Sequence, residues 1–430
     1  MLSARQAPPT IVPLRFLLFG VACLLAASVW LLVEPGVLLG PYVRPHTVAL
    51  AHLLVLGCAT SICMGAMYPV VPVALDSPLH SVRLAIPHTI LHLLGVIAVV
   101  PAFYAWEMRG VATGGGLILT GAVLLTYNLA RTLARTPRFG VVAGSVATTL
   151  AWMLLAMALG IAMAISKLHP LLPGDPMRWL HAHAHLGVLG IFVNLILGVS
   201  LKLLPMFVLA DWRERPRSWA MLAMLNGGLV LLASGIALGS RALAIVSGLL
   251  VAAGFGIYAM EIAAILRARR RAALDPGLIT FLGALAAIPP TCALGFVAAT
   301  IGQASLAPAL RLAYAFAALF GIVIPAIVGM LYKILPFLVW HRVYGPRVGR
   351  EPVPTFAQMV SPPLQTATST LFLVALALLL AGILDAQMAP VAGGAALWLL
   401  GLLCFVGNVA RAMRHWWRSP PPAARERTKP

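Results

Sequence analysis

Charged residues are scarce in this sequence of 430 residues. They make up 10% of the chain, whereas an ordinary soluble domain contains about 25%. So little charge cannot cover the surface of a water-soluble globular protein, which excludes a soluble enzyme. Acidic residues are scarcer than basic ones, with 11 Asp and Glu against 30 Lys and Arg. A basic chain can bind nucleic acid, but a hydrophobic content of 61% favours a membrane protein with basic loops instead.

Cysteines are also few, and the five present are scattered through apolar runs. Cys58 and Cys63 lie five residues apart, which matches no usual metal-binding spacing. The chain has no Cys-x-x-Cys-His sequence, the attachment signal of a c-type haem. We therefore interpret the cysteines as small core residues. Carboxylates are nearly absent from the apolar runs, and Glu261 is the deepest, so a carboxylate proton relay has few candidates.

Long apolar runs dominate what is present. A bilayer core about 30 Å thick requires roughly 20 apolar residues in a helix. Runs of this length predict an all-α membrane protein with twelve transmembrane helices. They cover residues 12–33, 46–67, 84–104, 113–133, 141–165, 180–201, 218–238, 243–265, 278–300, 312–332, 366–384 and 391–410. The segment after Arg411 is basic and rich in proline, which predicts disorder.

The distribution of basic residues predicts the orientation of these helices. If the chain starts in the cytoplasm, 24 of the 30 Lys and Arg lie on the cytoplasmic side. The six on the opposite side are Arg44, Arg109, Lys167, Arg178, Arg241 and Arg311. By the positive-inside rule, this asymmetry predicts that both termini are cytoplasmic in a multi-pass protein of a bacterial-type inner membrane.

A threefold internal repeat organises the chain. Starting from His52, His185 and Phe316, a glycine follows after five residues, a second glycine eight residues later and a proline seven residues after that. The three starting residues are separated by 133 and 131 residues. Small residues let membrane helices approach closely, so we expect the second, sixth and tenth helices to form an inner ring. The repeats are three four-helix units, at 1–137, 138–272 and 273–430, the last with a basic C-terminal tail.

Histidines inside apolar runs are the main candidates for chemistry, because a polar group in a bilayer is costly without a role. Imidazole is a good ligand of haem iron, copper and zinc. His52 and His185 occupy equivalent repeat positions, so their side chains should lie at the same depth. They can bind a flat cofactor from its two faces; alternatively, each bonds a backbone carbonyl. The third equivalent, Phe316, can pack against a macrocycle but cannot bind iron.

Two further pairs of histidines have the helical spacing of four residues. His181 and His185 share a helix face and can chelate one metal ion, whereas His183 points away from them. His181 and His183 are also candidate ligands of a separate copper site; alternatively, both lie in interfacial water. His88 and His92 are also candidate metal ligands, and His92, near the middle of the third span, is an alternative haem ligand at a different depth.

The chain resembles a known superfamily in its arrangement and in three phrases. Twelve spans in three four-helix repeats, with histidines on the second helix of a repeat, resemble the main subunit of haem–copper oxidases. The resemblance covers about residues 40–410. The small oxidase-subunit-I-like proteins are similar in the phrases HAHAHLG, LKLLP and LYKILPFLVW, at 181–187, 201–205 and 331–340. NnrS proteins, which contain haem and copper and are linked to nitric oxide stress, are a similar set, although their histidine phrase followed by Glu-Met is not matched.

The resemblance implies haem b as cofactor, with copper as a second possible metal, and the repeat positions assign the haem to His52 and His185. It implies electron transfer or the handling of nitric oxide, haem or metal. Electrons would come from a quinol or a separate donor. The oxidases also require histidines in the seventh and tenth helices, where this chain has none and carries Phe316 instead. We therefore expect no oxygen reduction and assign no catalytic residue.

Two alternatives remain open at this point. In the first, His88, His92, His181 and His185 bind copper or zinc without haem, in a metal transporter or a factor that matures a metallocentre. In the second, the chain is a structural membrane protein whose histidines have lost their ligand role.

Overall fold

The computed structural model describes residues 8–301 and 306–418. Within these ranges the chain forms helices and no strand. Twelve helices are long and apolar enough to cross a membrane, which confirms the predicted fold class. They are α1 (Ile11–Val33), α2 (Pro45–Ala74), α3 (Ala85–Tyr104), α4 (Met108–Leu133), α5 (Val141–Ser166), α6 (Pro176–Val208), α7 (Pro216–Leu238), α8 (Arg241–Arg267), α9 (Pro276–Thr300), α10 (Ala307–Val343), α11 (Pro362–Leu384) and α12 (Met388–Arg418).

Helices α2, α6 and α10 form the centre of the bundle. In their most apolar windows 67%, 72% and 78% of the residues are buried, against at most 50% in any other spanning helix. This difference confirms the inner ring predicted from the glycine spacing. Around it, α1, α5 and α9 pack against α2, α6 and α10 respectively, and three hairpins, α3–α4, α7–α8 and α11–α12, complete the outer layer.

The second glycine of each repeat lies where an inner helix touches the helix before it in the chain. A Cβ at Gly65 would come within 2.5 Å of Phe16 on α1, and one at Gly329 within 2.7 Å of a backbone oxygen on α9. A Cβ at Gly198 would overlap the Ser145 hydroxyl on α5. These glycines are therefore required because no larger residue allows the two backbones to approach so closely.

Each inner helix contains a π-helical segment at the same place. The segments are Leu53–Thr60, Leu186–Val193 and Ala317–Val323. They begin directly after His52, His185 and Phe316, so their starts differ by the same 133 and 131 residues as the sequence repeat. The π-helix is rare in proteins, and where it does occur it is often found at a functional site. The backbone change therefore coincides with the positions that the repeat had already singled out.

The C-terminal prediction requires a correction. Helix α12 continues to Arg418, well beyond the expected end at residue 410. The prediction of disorder after Arg411 is thus wrong as far as residue 418, because the alternating apolar and basic residues there continue one amphipathic helix. Residues 419–430, the remainder of the basic tail, lie outside the described residues.

Candidate functional site

The candidate site lies at the end of the bundle where α2, α6 and α10 begin, which we call the histidine end. His52 and His185 are half-buried there, immediately before the π-helical segments. Nδ1 of His52 lies 2.8 Å from the carbonyl of Val48, and Nδ1 of His185 lies 2.8 Å from the carbonyl of His181. Because a carbonyl only accepts, both Nδ1 atoms carry the proton and both Nε2 atoms present a lone pair.

This arrangement prepares the two histidines for coordination. A backbone carbonyl on one ring nitrogen is the usual means by which proteins fix the tautomer and orientation of a metal-binding imidazole. The expectation that each histidine bonds a backbone carbonyl and the expectation that it binds a metal are therefore compatible, because they use different nitrogens of the ring.

The ring beside His52 belongs to His183. Their centroids are 6.5 Å apart and their planes differ by 19°. A metal–nitrogen bond of about 2 Å, with about 1 Å more from nitrogen to ring centre, places two imidazoles bound to opposite sides of one metal about 6 Å apart. The observed separation of the ring centres is thus comparable with that of two imidazoles that share one metal ion. Phe103, on α3, supports His52 through a stacked contact of 4.1 Å.

His183 fits against the neighbouring helix α5 because residue 160 is glycine. A Cβ at Gly160 would lie 3.0 Å from Cε1 of His183, closer than ordinary van der Waals contact. Nδ1 of His183 is buried and faces the backbone of Ala156 on α5, with which it makes at most a weak hydrogen bond.

Two tyrosines contact the other histidines of α6. The Tyr314 hydroxyl, from α10, lies 3.3 Å from Nε2 of His185. Tyr42, from the segment between α1 and α2, shares a hydrogen bond of 2.9 Å with Nε2 of His181. All three repeats therefore contribute to the surroundings of the α6 histidines. The expected chelation of one ion by His181 and His185 would use their Nε2 atoms. In the structure, each of these atoms faces a different tyrosine.

A polar rim borders the site next to α1. Glu34 follows the end of α1 and accepts hydrogen bonds from the Trp30 indole at 2.9 Å and from Nδ1 of His46 at 2.7 Å. His46 also stacks on Tyr104 at 4.1 Å. The hydrogen bond from His46 is the main reason that the pKa of Glu34 lies below its usual value. This rim fixes the mouth of the first repeat with an ionised carboxylate.

His88 and His92 belong to a different place, the fully buried interior of the first repeat. Nδ1 of His88 lies 2.8 Å from the Tyr68 hydroxyl, and Nε2 of His92 lies 2.8 Å from the Ser61 hydroxyl. The Phe16 ring packs against both imidazoles. Each of these histidines thus has one nitrogen engaged by a hydroxyl group in a network that joins α2 to α3.

Phe316, the expected packing residue for a macrocycle, contacts other aromatic residues of the third repeat. Its ring stacks on Phe320 at 3.9 Å, and Phe320 in turn packs against Trp398 of α12. The third repeat instead reaches the site through Tyr314, which stands two residues before Phe316. His183 stands two residues before His185, so Tyr314 and His183 occupy equivalent positions. That equivalence is the sequence signal that could have found Tyr314.

No group of three or more His, Cys, Asp or Glu side chains within residues 8–301 and 306–418 is arranged to hold a metal ion. The site consists instead of a histidine pair and its tyrosine-bonded neighbours. No protein-family model matches the chain, and no curated protein sequence matches it.

Proposed function

We propose that this membrane protein binds a transition-metal group between His52 and His183, and that the group is haem b. The observation that supports the proposal is the separation of 6.5 Å between two nearly parallel imidazoles on adjacent inner helices. Neutral imidazoles suit this depth because they bind iron without placing a charge in lipid, which costs about 2.5–3.5 kcal/mol on insertion scales. The two histidines thus provide neutral ligands in a region where charged ligands would cost free energy.

Three features of the residues present suit a pair of metal-binding histidines. His52 has its lone pair on Nε2, since Nδ1 is bonded to the carbonyl of Val48. His183 rests against the space left by Gly160. Phe103 offers an aromatic face beside His52. When bound between two histidines, haem supplies one-electron transfer at its iron.

The surrounding residues position the histidine rings and determine which ring nitrogens are free to bind a metal. Tyr314 donates a hydrogen bond to Nε2 of His185, which keeps this second lone pair occupied beside the proposed ligand pair. If His185 is a ligand in place of His183, as the repeat alone predicts, the Tyr314 hydroxyl must first turn away. Electrons would come from a quinol or a separate partner, and the membrane would be a bacterial-type inner membrane with both termini cytoplasmic. Oxygen reduction is not part of the proposal, since α7 has no histidine.

Copper bound by the same two histidines is a second candidate, in a protein that handles or transfers metal. One observation favours it. The rings of His52 and His183 already have the separation of opposed ligands while His52 is stacked on Phe103 and His183 is packed against α5. A single ion requires no further opening of the helices, whereas a haem requires room for its plate.

The proposal is tested on the purified full-length protein by a reduced-minus-oxidised absorption spectrum and by metal analysis of the same sample. We expect sharp haem b bands and about one iron per chain. Copper or zinc in a sample without haem bands would favour the second candidate over haem. Zinc in particular would indicate metal transport. Protein expressed with ample haem, copper and zinc that contains none of them would overturn the proposal.

A further inference from the structure

A small, partly open apolar cavity lies between the inner helices, on the side of the π-helical segments away from the histidine end. It has a volume of about 80 Å³ and is lined by α2, α6 and α10, with one side chain from α9. We call it the axial cavity. Five sets of three residues that occupy equivalent repeat positions line it. Two of these sets are Cys63, Ile196, Ile327 and Ala66, Val199, Met330.

The axial cavity is apolar although a serine belongs to its wall. The Ser200 hydroxyl shares a hydrogen bond with the Tyr258 hydroxyl at 2.7 Å and donates to the carbonyl of Leu197, so its polar atom is engaged elsewhere. The other side-chain heteroatoms of the wall are the sulfurs of Cys63, Met67 and Met330, and all three are weak hydrogen-bonding groups. Water requires two or more polar partners to occupy a cavity, and this lining offers almost none.

The size of the cavity depends on Ala66, the smallest residue of the equivalent set that also contains Val199 and Met330. Met330 and Val199 fill their thirds of the ring, whereas Ala66 at the same level contributes a single methyl group. Close packing is the rule in protein interiors, and a void of this size loses contacts that a larger residue would supply. The cavity is therefore a place where apolar volume can be taken up without displacing a side chain.

We propose that the axial cavity binds small, uncharged, apolar molecules of the size of a dissolved gas. Dry apolar cavities of about 150 Å³ accept benzene or xenon, and 80 Å³ selects for the smaller members of that class. Ions and hydrogen-bonding solutes are excluded because the wall has no partner for them. The inference is independent of the histidine site, from which the cavity is separated by the π-helical segments.

Xenon serves as the probe. Crystals of the full-length protein pressurised with xenon should show an anomalous difference peak inside the axial cavity. In Ala66→Leu, whose added carbons enter the cavity, the peak should fall at least tenfold in occupancy. Ala223→Leu, at an exposed position of α7, is the matched control and should keep the peak. Absence of xenon from the wild-type cavity, or equal occupancy in Ala66→Leu, would overturn the proposal.

Met330→Ala provides a test that adds no bulk and so does not depend on the folding of Ala66→Leu. It enlarges the same cavity, so cyclopropane, which is larger than xenon, should bind there in Met330→Ala and more weakly in the wild type. Equal cyclopropane occupancy in both proteins would contradict an assignment of ligand size to this cavity.

Discussion

The imidazole of His183 lies 6.5 Å from that of His52, with 19° between the ring planes. The two residues belong to adjacent inner helices and are 131 residues apart in the chain. Neither ring is held by chance, since His52 is supported by Phe103 and by the carbonyl of Val48. Gly160 provides the space for His183. The pair is therefore a built feature of the interface between the first two repeats.

Gly160 gives the first prediction. In Gly160→Val, the new methyl groups must displace the His183 ring, because even a Cβ would lie 3.0 Å from its Cε1. We expect at least tenfold weaker binding of the metal group, measured by titration of the metal-depleted protein. Gly116→Val on α4 is the control, because a Cβ there meets no atom within 4 Å. Unchanged binding in Gly160→Val would show that the position of His183 does not matter.

The sequence was sufficient for the helices and insufficient for this pairing. Apolar runs predict the twelve spans because bilayer thickness alone sets their length. Helical spacing correctly separates His183 from His181 and His185, but it does not say which helix the His183 face meets. That depends on how α2 packs beside α6. The π-helical segments were equally invisible, because no residue type is specific for them.

Tyr314 illustrates a different limit. The repeat aligns Phe316 with His52 and His185. The residue of the third repeat that contacts His185 is instead the tyrosine two positions earlier. In the structure Phe316 stacks on Phe320, while the Tyr314 hydroxyl reaches His185 across the inner ring. Contacts between repeats follow from tertiary packing, which a repeat alignment does not contain.

The Glu34–His46 pair predicts a pH dependence. The hydrogen bond from His46 lowers the pKa of Glu34, so the ionised carboxylate contributes stability to the folded state. For a lowered carboxyl pKa, this contribution is fully present above the ordinary value of about 4.3 and is lost as the pH falls through the lowered value. The difference in thermal stability between wild type and Glu34→Gln should therefore be largest near neutral pH and vanish in acid.

A double-mutant comparison isolates this pair. In a His46→Ala background, Glu34→Gln should have a smaller effect at neutral pH than in the wild type, because its main partner is absent. An equal effect in both backgrounds, or a difference that grows as the pH falls, would contradict the assigned cause.

Gly198 gives a prediction on packing. In Gly198→Ala the new methyl group overlaps the Ser145 hydroxyl, so α5 and α6 must separate. We expect a loss of about 2 kcal/mol in the free energy of unfolding, as is typical when a close-packed site is overfilled. Gly227→Ala on α7, where a Cβ meets nothing within 4 Å, should not lower it, because alanine is the better helix former. Reversible unfolding in mixed micelles measures both values.

Glu261 supplies a prediction at the opposite end of the bundle. Its carboxylate is buried and accepts hydrogen bonds from Arg217 at 2.8 Å, Trp212 at 3.0 Å and Ser218 at 3.0 Å. Glu261→Leu leaves these donors without their acceptor, so we expect a loss of about 2 kcal/mol in the same unfolding assay. Asp211→Ala, which breaks an exposed pair with Arg270, is the control and should have little effect. Similar losses in the two variants would refute the role of burial.

The central claim is tested most directly by counting the bound metal group per chain in single histidine variants of the purified protein. The account predicts that His52→Ala and His183→Ala lose it at least tenfold. His46→Ala, whose partner is Glu34, and His88→Ala, whose partner is Tyr68, should retain it. Full retention in both His52→Ala and His183→Ala would reject the site. Loss in His185→Ala together with retention in His183→Ala would assign the second ligand to His185 and contradict the pairing described above.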